Sequence, residues 1–357
     1  MNKFLASHRR RVGDFDLLDW EGSPEARAVL DDSDTAVPLE ANWTWEYGSE
    51  VQELRALYEK GKLNQWNAET DLDWEAPVSN DDWVIAPEGS LMAQACKLMG
   101  KDEATQKAAA FDELGYLLSQ LLHGEQAALE LCGQLTNVCE KMDQKLYAAS
   151  QVIDEARHIE VFSKFLARKM DGVHPISATL KMLLDELLAA EGMKKKTLGM
   201  QTLFEGTAVG IMDMFRQQSA NPFVTEMIRR VEQDESRHAA FGVLTMRRVV
   251  KHASEEEMAE MEDWAFSILE TLNAGQQLDM LRTFGPKYDL DPEALTTALL
   301  SMPEFPEINS LMFMHTVVPN LQRLGLITDR TREQWLDTAM MVEQRGAATG
   351  GSLPLVG

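Results

Sequence analysis

Six side chains in this sequence have the types and spacing of a dinuclear metal site. The words DEARH at 154–158 and DESRH at 234–238 lie 80 positions apart, and each has a lone glutamate 30 residues before its own, Glu125 before Glu155 and Glu205 before Glu235. The set is four carboxylates and two imidazoles, Glu125, Glu155, His158, Glu205, Glu235 and His238, in two equivalent halves. On a helix, E-x-x-H puts a carboxylate and an imidazole about one turn apart on one face, so both reach the same ions. Mixed carboxylate and imidazole ligation suits iron or manganese, whereas closed zinc sites favour cysteine and histidine. Asp154 and Asp234 can each accept a hydrogen bond from the ring nitrogen that does not face the ions, Asp234 from His158 and Asp154 from His238. Arg157 and Arg237 can brace those aspartates.

Such a set needs helices that carry it inward. From 103 to 252 apolar residues recur in steps of three and four, and the glutamates fall within the stripes: Leu121, Glu125, Ala128 and Cys132; Val152, Glu155 and Ile159; Thr202, Glu205 and Val209; Val231, Glu235 and His238. Four unpaired buried carboxylates would cost more than a domain's stability margin, so bound cations are the expected compensation. Two residues of antiparallel helices share a level only if the bend lies near their midpoint. That midpoint is 220 for Glu205 and Glu235, just before the N-cap and proline of Asn221-Pro222, and 140 for Glu125 and Glu155, near Met142-Asp143. Residues 172–194 then read as a crossover between two hairpins. The expected fold is all-α, a four-helix bundle with one crossover and peripheral helices.

The rest of the chain divides around this core. Residues 1–102 read as an irregular arm with short helices, one over 49–66, that packs Trp20, Trp43 and Trp45 onto the bundle. Residues 253–345 read as a helical cover with segments at 255–282, 291–300, 306–325 and 331–345, and 346–357 as a flexible tail. No strand alternation stands out. Among other histidines, His123 points away from the site, His8, His174 and His252 read as solvated, and His315 as a satisfied core residue. Lys194-Lys195-Lys196 reads as a solvated helix entry, with a docking patch for an acidic redox partner as the sharper alternative.

Composition excludes several partners. Lys and Arg total 34 against 58 Asp and Glu, and the net charge of -24 argues against nucleic acid and anionic membranes. No apolar run approaches the roughly 18–20 residues of a membrane span, and MNKFLASHRRR lacks a signal-peptide core, so the expected location is the cytoplasm. Cys96, Cys132 and Cys139 form neither a C-x-x-C pair nor an even framework and read as buried thiols. Without four thiolates for a cluster of its own, any electrons the site needs must come from an external donor, a reductase or ferredoxin.

LLHGEQAALE, DEARH and DESRH together resemble the ferritin-like di-iron carboxylate superfamily, and within it the branch of the ribonucleotide reductase small subunit and the bacterial multicomponent monooxygenase hydroxylases. The resemblance covers about 103–252. It implies two iron ions, with manganese and iron as the alternative pair, held by the six residues named above and reacting with dioxygen. Radical-bearing reductase subunits have a tyrosine where this chain has Phe162. Arylamine oxygenases of the superfamily have a third histidine where it has Val231, and multicomponent monooxygenases a threonine where it has Val209, with Thr207 nearby. Acyl-carrier-protein desaturases have a similar length, but their acidic partner would be repelled. Gly124 and Ala128 flank Glu125 with minimal volume, and Leu121, Phe162, Phe204, Ala208, Val209 and Met212 are apolar, as a small-molecule pocket requires; tight helix packing at the two small residues is the alternative. The expectation is a di-iron oxygenase or oxidase that hydroxylates, N-oxygenates or desaturates a small, mainly apolar substrate. A radical-generating or ligand-binding oxidase is the second reading and a ferritin-like iron store the third. A homodimer is compatible with the first two, whereas an iron store would require a shell assembly.

Overall fold

The computed structural model describes residues 11–12, 15–16, 20, 23–32, 34–37 and 41–343; His8 and the tail at 346–357 lie outside them. The N-terminal part holds a two-residue antiparallel ribbon, β1 (Arg11–Val12) with β2 (Phe15–Asp16), which sequence alternation did not announce. It continues with α1 (Pro24–Asp31), α2 (Gln52–Leu63) and α3 (Leu91–Leu98). The bundle consists of α4 (Glu103–Val138), α5 (Met142–Lys169), a composite third helix and α9 (Pro222–Val250). The composite helix runs through α7 (Gly192–Lys196), a π-helical segment (Thr197–Phe204) and α8 (Glu205–Gln218). The crossover carries its own helix, α6 (Ala178–Ala189). The cover is α10 (Glu255–Phe284), α11 (Pro292–Leu300), α12 (Phe305–Met314), α13 (Val317–Leu324) and α14 (Arg332–Asp337). This is an all-α bundle with peripheral helices, and among the described residues no helix is long and apolar enough to cross a membrane.

Local chemistry sets the bends. Asn221 accepts from the N–H groups of Phe223 and Val224, and Pro222 takes the first helical position, where no N–H partner is needed. At the other end of the bundle the Lys141 N–H donates to Gln144 as α5 begins. Asp143, fully buried in the first turn of α5, accepts from the Glu50 and Val51 N–H groups at 2.9 and 2.7 Å and from Arg55 Nε at 2.7 Å. A carboxylate from the bundle thus caps α2, and the helix starts at Gln52 rather than at Ser49. The crossover is pinned to α4 by Ser119, which accepts from the His174 N–H, and by Gln120, which bonds Pro175 and Ser177.

The apolar core forms two clusters along the bundle. Leu131, Leu135, Tyr147, Leu198 and Phe241 lie toward the α4–α5 bend, and Leu118, Phe162, Phe165, Met212 and Val231 toward the α8–α9 bend. The ligand layer lies between them. Two glycines permit close helix contact: a Cβ on Gly242 would sit 2.5 Å from the Gln201 carbonyl oxygen, and one on Gly210 1.9 Å from that of Met312.

Several expectations change. Trp20 is buried, but Trp43 and Trp45 stack on each other at 5.5 Å and are 78% and 75% exposed. Their alternate neighbours Asn42 and Thr44 bond the end of the α4–α5 hairpin, which turns the indoles outward. The segment at 306–325 breaks at His315–Thr316, because Pro319 fits a helix only in its first turn. His315 is exposed rather than core. His174 is half-buried, edge-on to Phe284, and burial lowers its pKa. Lys194 and Lys195 are exposed, but Lys196 is fully buried.

Candidate metal centre

The four bundle helices bring the six grouped side chains to one buried layer. Glu125 comes from the middle of α4, Glu155 and His158 from α5, Glu205 from the first position after the π-helical segment, and Glu235 and His238 from α9. His158 Nδ1 lies 2.9 Å from Glu235 Oε1, 3.3 Å from Glu155 Oε2 and 3.3 Å from Glu125 Oε2. His238 Nδ1 lies 3.1 Å from Glu235 Oε2, 3.2 Å from Glu155 Oε1 and 4.0 Å from Glu205 Oε2. Glu155 and Glu235 therefore face both histidines, Glu125 only His158, and Glu205 only His238. Two overlapping groups result, Glu125, Glu155, His158 and Glu235, and Glu155, Glu205 and His238, with ligand atoms inside each within 4.8 Å of one another. That is the geometry of two ions with shared carboxylates. Glu155 Oε2 and Glu235 Oε1 are buried and make no well-aligned hydrogen bond, while His158 Nδ1 stands 3.3 and 2.9 Å from them, an arrangement that fits oxygens sharing a cation with that imidazole.

Charge in the layer is balanced by protons. Burial, reinforced by the charge of Glu235, pushes Glu125 and Glu205 well above the usual carboxylate range. Burial by itself would lower both histidines, but the facing carboxylates outweigh it, raising His158 well above its ordinary value and His238 to about 10. Burial also opposes ionisation of Glu235, yet the imidazoles hold it well below the normal range. Two divalent ions would take the place of these protons.

The far side of each histidine is fixed. His158 Nε2 lies 3.2 Å from Asp234 Oδ2, and His238 Nε2 3.3 Å from Asp154 Oδ2. Arg157 Nη2 donates to Asp154 at 2.6 Å and Asp234 at 2.7 Å, and Arg237 Nη2 to the same pair at 3.1 and 2.6 Å. The quartet is closed by α2 and the residues after it: Gln65 donates to Asp154 at 2.9 Å and accepts from Arg157 at 2.6 Å, and the Trp66 indole N–H donates to Asp234 at 2.8 Å. Arg157 also stacks on the Trp66 ring at 5.0 Å. The depressed pKa of Asp234, about 2, arises because His158 and Arg237 outweigh the burial that opposes its ionisation.

On the other side the walls are looser. A Cβ on Gly124 would meet nothing within 4 Å, and Leu121, Phe204 and Ala208 are only half-buried. Ala128, Phe162, Val209 and Met212 are buried. The eight expected pocket residues do not form one wall: Leu121, Phe162, Ala208 and Met212 pack with the cluster toward the α8–α9 bend, Ala128 and Phe204 with the opposite one. Thr207 spends its hydroxyl on the Leu203 carbonyl of its own helix at 2.7 Å.

Residues that spacing alone did not single out complete the layer. Gln151 Nε2 donates to both Glu155 Oε1 at 2.8 Å and Glu205 Oε1 at 2.9 Å. Its position four residues before Glu155, on the same stripe, was the available signal. Gln65 and Trp66 had none, since they belong to a peripheral segment. The π-helical segment was likewise hidden; it ends where Glu205 begins, and such insertions are frequent at functional sites.

Two hairpins joined by one long crossover, with inward Glu and Glu-x-x-His side chains, describe a ferritin-like bundle. The fold is ferritin-like. No protein-family profile matches the chain, and no curated protein matches it. Among solved structures, it is similar to an R2-like ligand-binding oxidase with an aerobically reconstituted metal cofactor after photoconversion, at 20% identity and a TM-score of 0.46 over 78% of this chain and 94% of that one. A variant of such an oxidase with an aerobically reconstituted Mn/Fe cofactor aligns at 20% identity and 0.43 over 70% and 90%. Another, with an anaerobically reconstituted Mn/Fe cofactor, aligns at 19% and 0.46 over 78% and 94%.

Proposed function

We propose that this protein is a non-haem di-iron oxygenase or oxidase that activates dioxygen and acts on a small, mainly apolar organic substrate by hydroxylation, N-oxygenation or desaturation. The observation that carries the reading is the shared position of Glu155 and Glu235 between two imidazoles whose far nitrogens are anchored on aspartates. Glu125, Glu155, His158 and Glu235 would hold one ion and Glu155, Glu205, Glu235 and His238 the other. Bound there, the ions supply the redox chemistry with dioxygen.

The protein's own residues do the rest. Asp234 and Asp154 fix the ring orientation and the proton of each histidine, and the two arginines keep those aspartates ionised. Phe162 and Val231, both fully buried, keep water from one side of the layer. The open flank at Gly124, bordered by Leu121 and Ala208, is where an apolar substrate would approach. Electrons would come from an external donor. A groove of about 330 Å³ lined by Trp66, Arg157 and the exposed Ile153 brings solvent to the indole that bonds Asp234.

Metal analysis and Mössbauer spectroscopy of protein loaded with ferrous iron, followed by dioxygen-uptake assays with apolar substrates, test this reading. Two irons per chain and uptake stimulated by a substrate are expected. A count far above two would favour an iron store, and a persistent radical without substrate turnover the radical-generating alternative.

A further inference from the structure

Between the metal layer and the α4–α5 bend a few polar side chains interrupt the apolar core. Gln151 and Gln201 are fully buried, and each leaves its Oε1 without a hydrogen-bond partner. Gln201, one turn before Glu205, donates to Cys132 Sγ at 3.3 Å, and Gln151 ends the line on Glu155 and Glu205. One turn before Gln201, the buried Thr197 hydroxyl also lacks a partner. Beside it stands Lys196, fully buried, whose ammonium meets, among the described residues, the Leu188 carbonyl at 2.9 Å and the Gln134 side-chain oxygen. Among the described residues of α4, α6, α7 and α10, no carboxylate forms an ion pair with Lys196; the charged neighbours Lys194 and Glu257 pair with each other. Burial alone lowers its pKa to about 8. Gln134 is half-buried, and a Cβ on Gly133 would meet open space, so the outer end of the line lies near solvent.

A buried amide oxygen left unpaired is costly, and a buried lysine without a counter-ion is rarer still. Leucine or methionine would serve packing at these positions. Orphaned buried polar atoms are the places where buried water binds, each water needing about 2–4 polar partners.

We propose that Lys196, Thr197, Gln201, Cys132 and Gln151 line a hydrated path that delivers protons to the metal layer between Glu155 and Glu205, an inference that rests on the dioxygen-reducing reading above. Each of the proposed reactions draws two electrons and two protons from outside for every dioxygen consumed, the substrate supplying the other two electrons: R–H + O2 + 2 e− + 2 H+ gives R–OH + H2O, and desaturation releases both oxygen atoms as water. The electrons come from the external one-electron donor, and the protons must cross an otherwise apolar core. Lys196 gives an N–H proton to the adjacent water, becomes a neutral amine, and recovers a proton from solvent at the Gln134 end. The amides and the threonine hydroxyl orient the waters without changing their own charge.

Two experiments test the path. A high-resolution crystal structure of the metal-free protein is expected to show ordered water on Gln151 Oε1, Gln201 Oε1 and Thr197 Oγ1; a dry, fully packed region there overturns the proposal. In iron-loaded protein, K196M and Q201L are expected to bind two irons as the wild type does but to consume dioxygen about tenfold more slowly or worse, with a larger solvent deuterium effect. Lys196→Met removes an uncompensated buried charge and should keep or raise the melting temperature, so a slow K196M protein cannot be attributed to misfolding. Unchanged rate and isotope effect in K196M overturn the proposal. A wild-type protein that binds no iron overturns it together with the di-iron reading, and the metal count tells the two failures apart.

Discussion

The two sides of the ligand layer are built to opposite specifications. Behind the histidines, Asp154, Arg157, Asp234 and Arg237 form a buried quartet in which each aspartate meets both guanidinium groups, and Gln65 and Trp66 close it from outside. Beside Glu125 there is no such brace: Gly124 faces open space and its apolar neighbours are half-buried. A metal centre needs both. The ring nitrogens must be held in one tautomer and direction, which takes a rigid, low-dielectric frame. Substrate must reach the ions, which takes room and apolar surface. The rigid side faces α2, and the half-buried Leu121, Phe204 and Ala208 lie along α4, the π-helical segment and α8.

The comparison can be broken most directly at the residues common to both sides. Glu155→Ala or Glu235→Ala should abolish metal loading and dioxygen consumption together, measured by metal analysis and oxygen electrode; a variant that keeps both would sink the assignment. The rigid side should be the costlier one to damage. Asp234→Ala leaves Arg157 and Arg237 with one aspartate between them, and chemical denaturation should register a loss of about 3–5 kcal/mol. In whatever folds, metal affinity should fall about 10–100-fold.

Next in size is a pH effect that metal should remove. His238, raised to about 10 in the metal-free fold against 6.5 when unfolded, contributes stability that is complete below pH 6.5 and is lost as pH rises toward 10. Denaturation of metal-free protein between pH 6.5 and 10 should show a decline on the order of a few kcal/mol, and the iron-loaded protein, with neutral imidazole ligands, a much flatter profile. The smallest expected effect belongs to the open side. Gly124→Ala should stabilise by about 1 kcal/mol, since alanine is the better helix former and its methyl meets nothing. Gly242→Ala is the control, because its methyl would press on the Gln201 backbone, and it should destabilise by several kcal/mol. Equal effects of the two would remove the contrast between an open flank and a closed helix contact.

Much of the fold was legible because bundle helices are long and periodic. Asn221-Pro222 marks one bend, and the 30-residue spacing locates the other. Peripheral segments were less legible. Trp43 and Trp45 carry apolar character without period, so sequence could not tell that Asn42 and Thr44 would anchor the segment and leave the indoles outside. By its lysine neighbours Lys196 reads as solvated, because charge runs normally are; its burial follows from the turn into the π-helical segment under α6. His315 erred the other way, an apolar neighbourhood in sequence becoming an exposed helix end.

By itself, the sequence determined which residues share a layer: E-x-x-H and a 30-residue spacing become a common height wherever helices are straight and antiparallel, and rise per residue is a local property. It determined also that each histidine has an aspartate and an arginine on the opposing word. Tertiary structure alone decided that Gln65 and Trp66 complete that frame, that Gln151 ties Glu155 to Glu205, and that a polar line continues toward Lys196. Those contacts join segments up to 168 positions apart, and no local periodicity records which distant side chain fills a given gap.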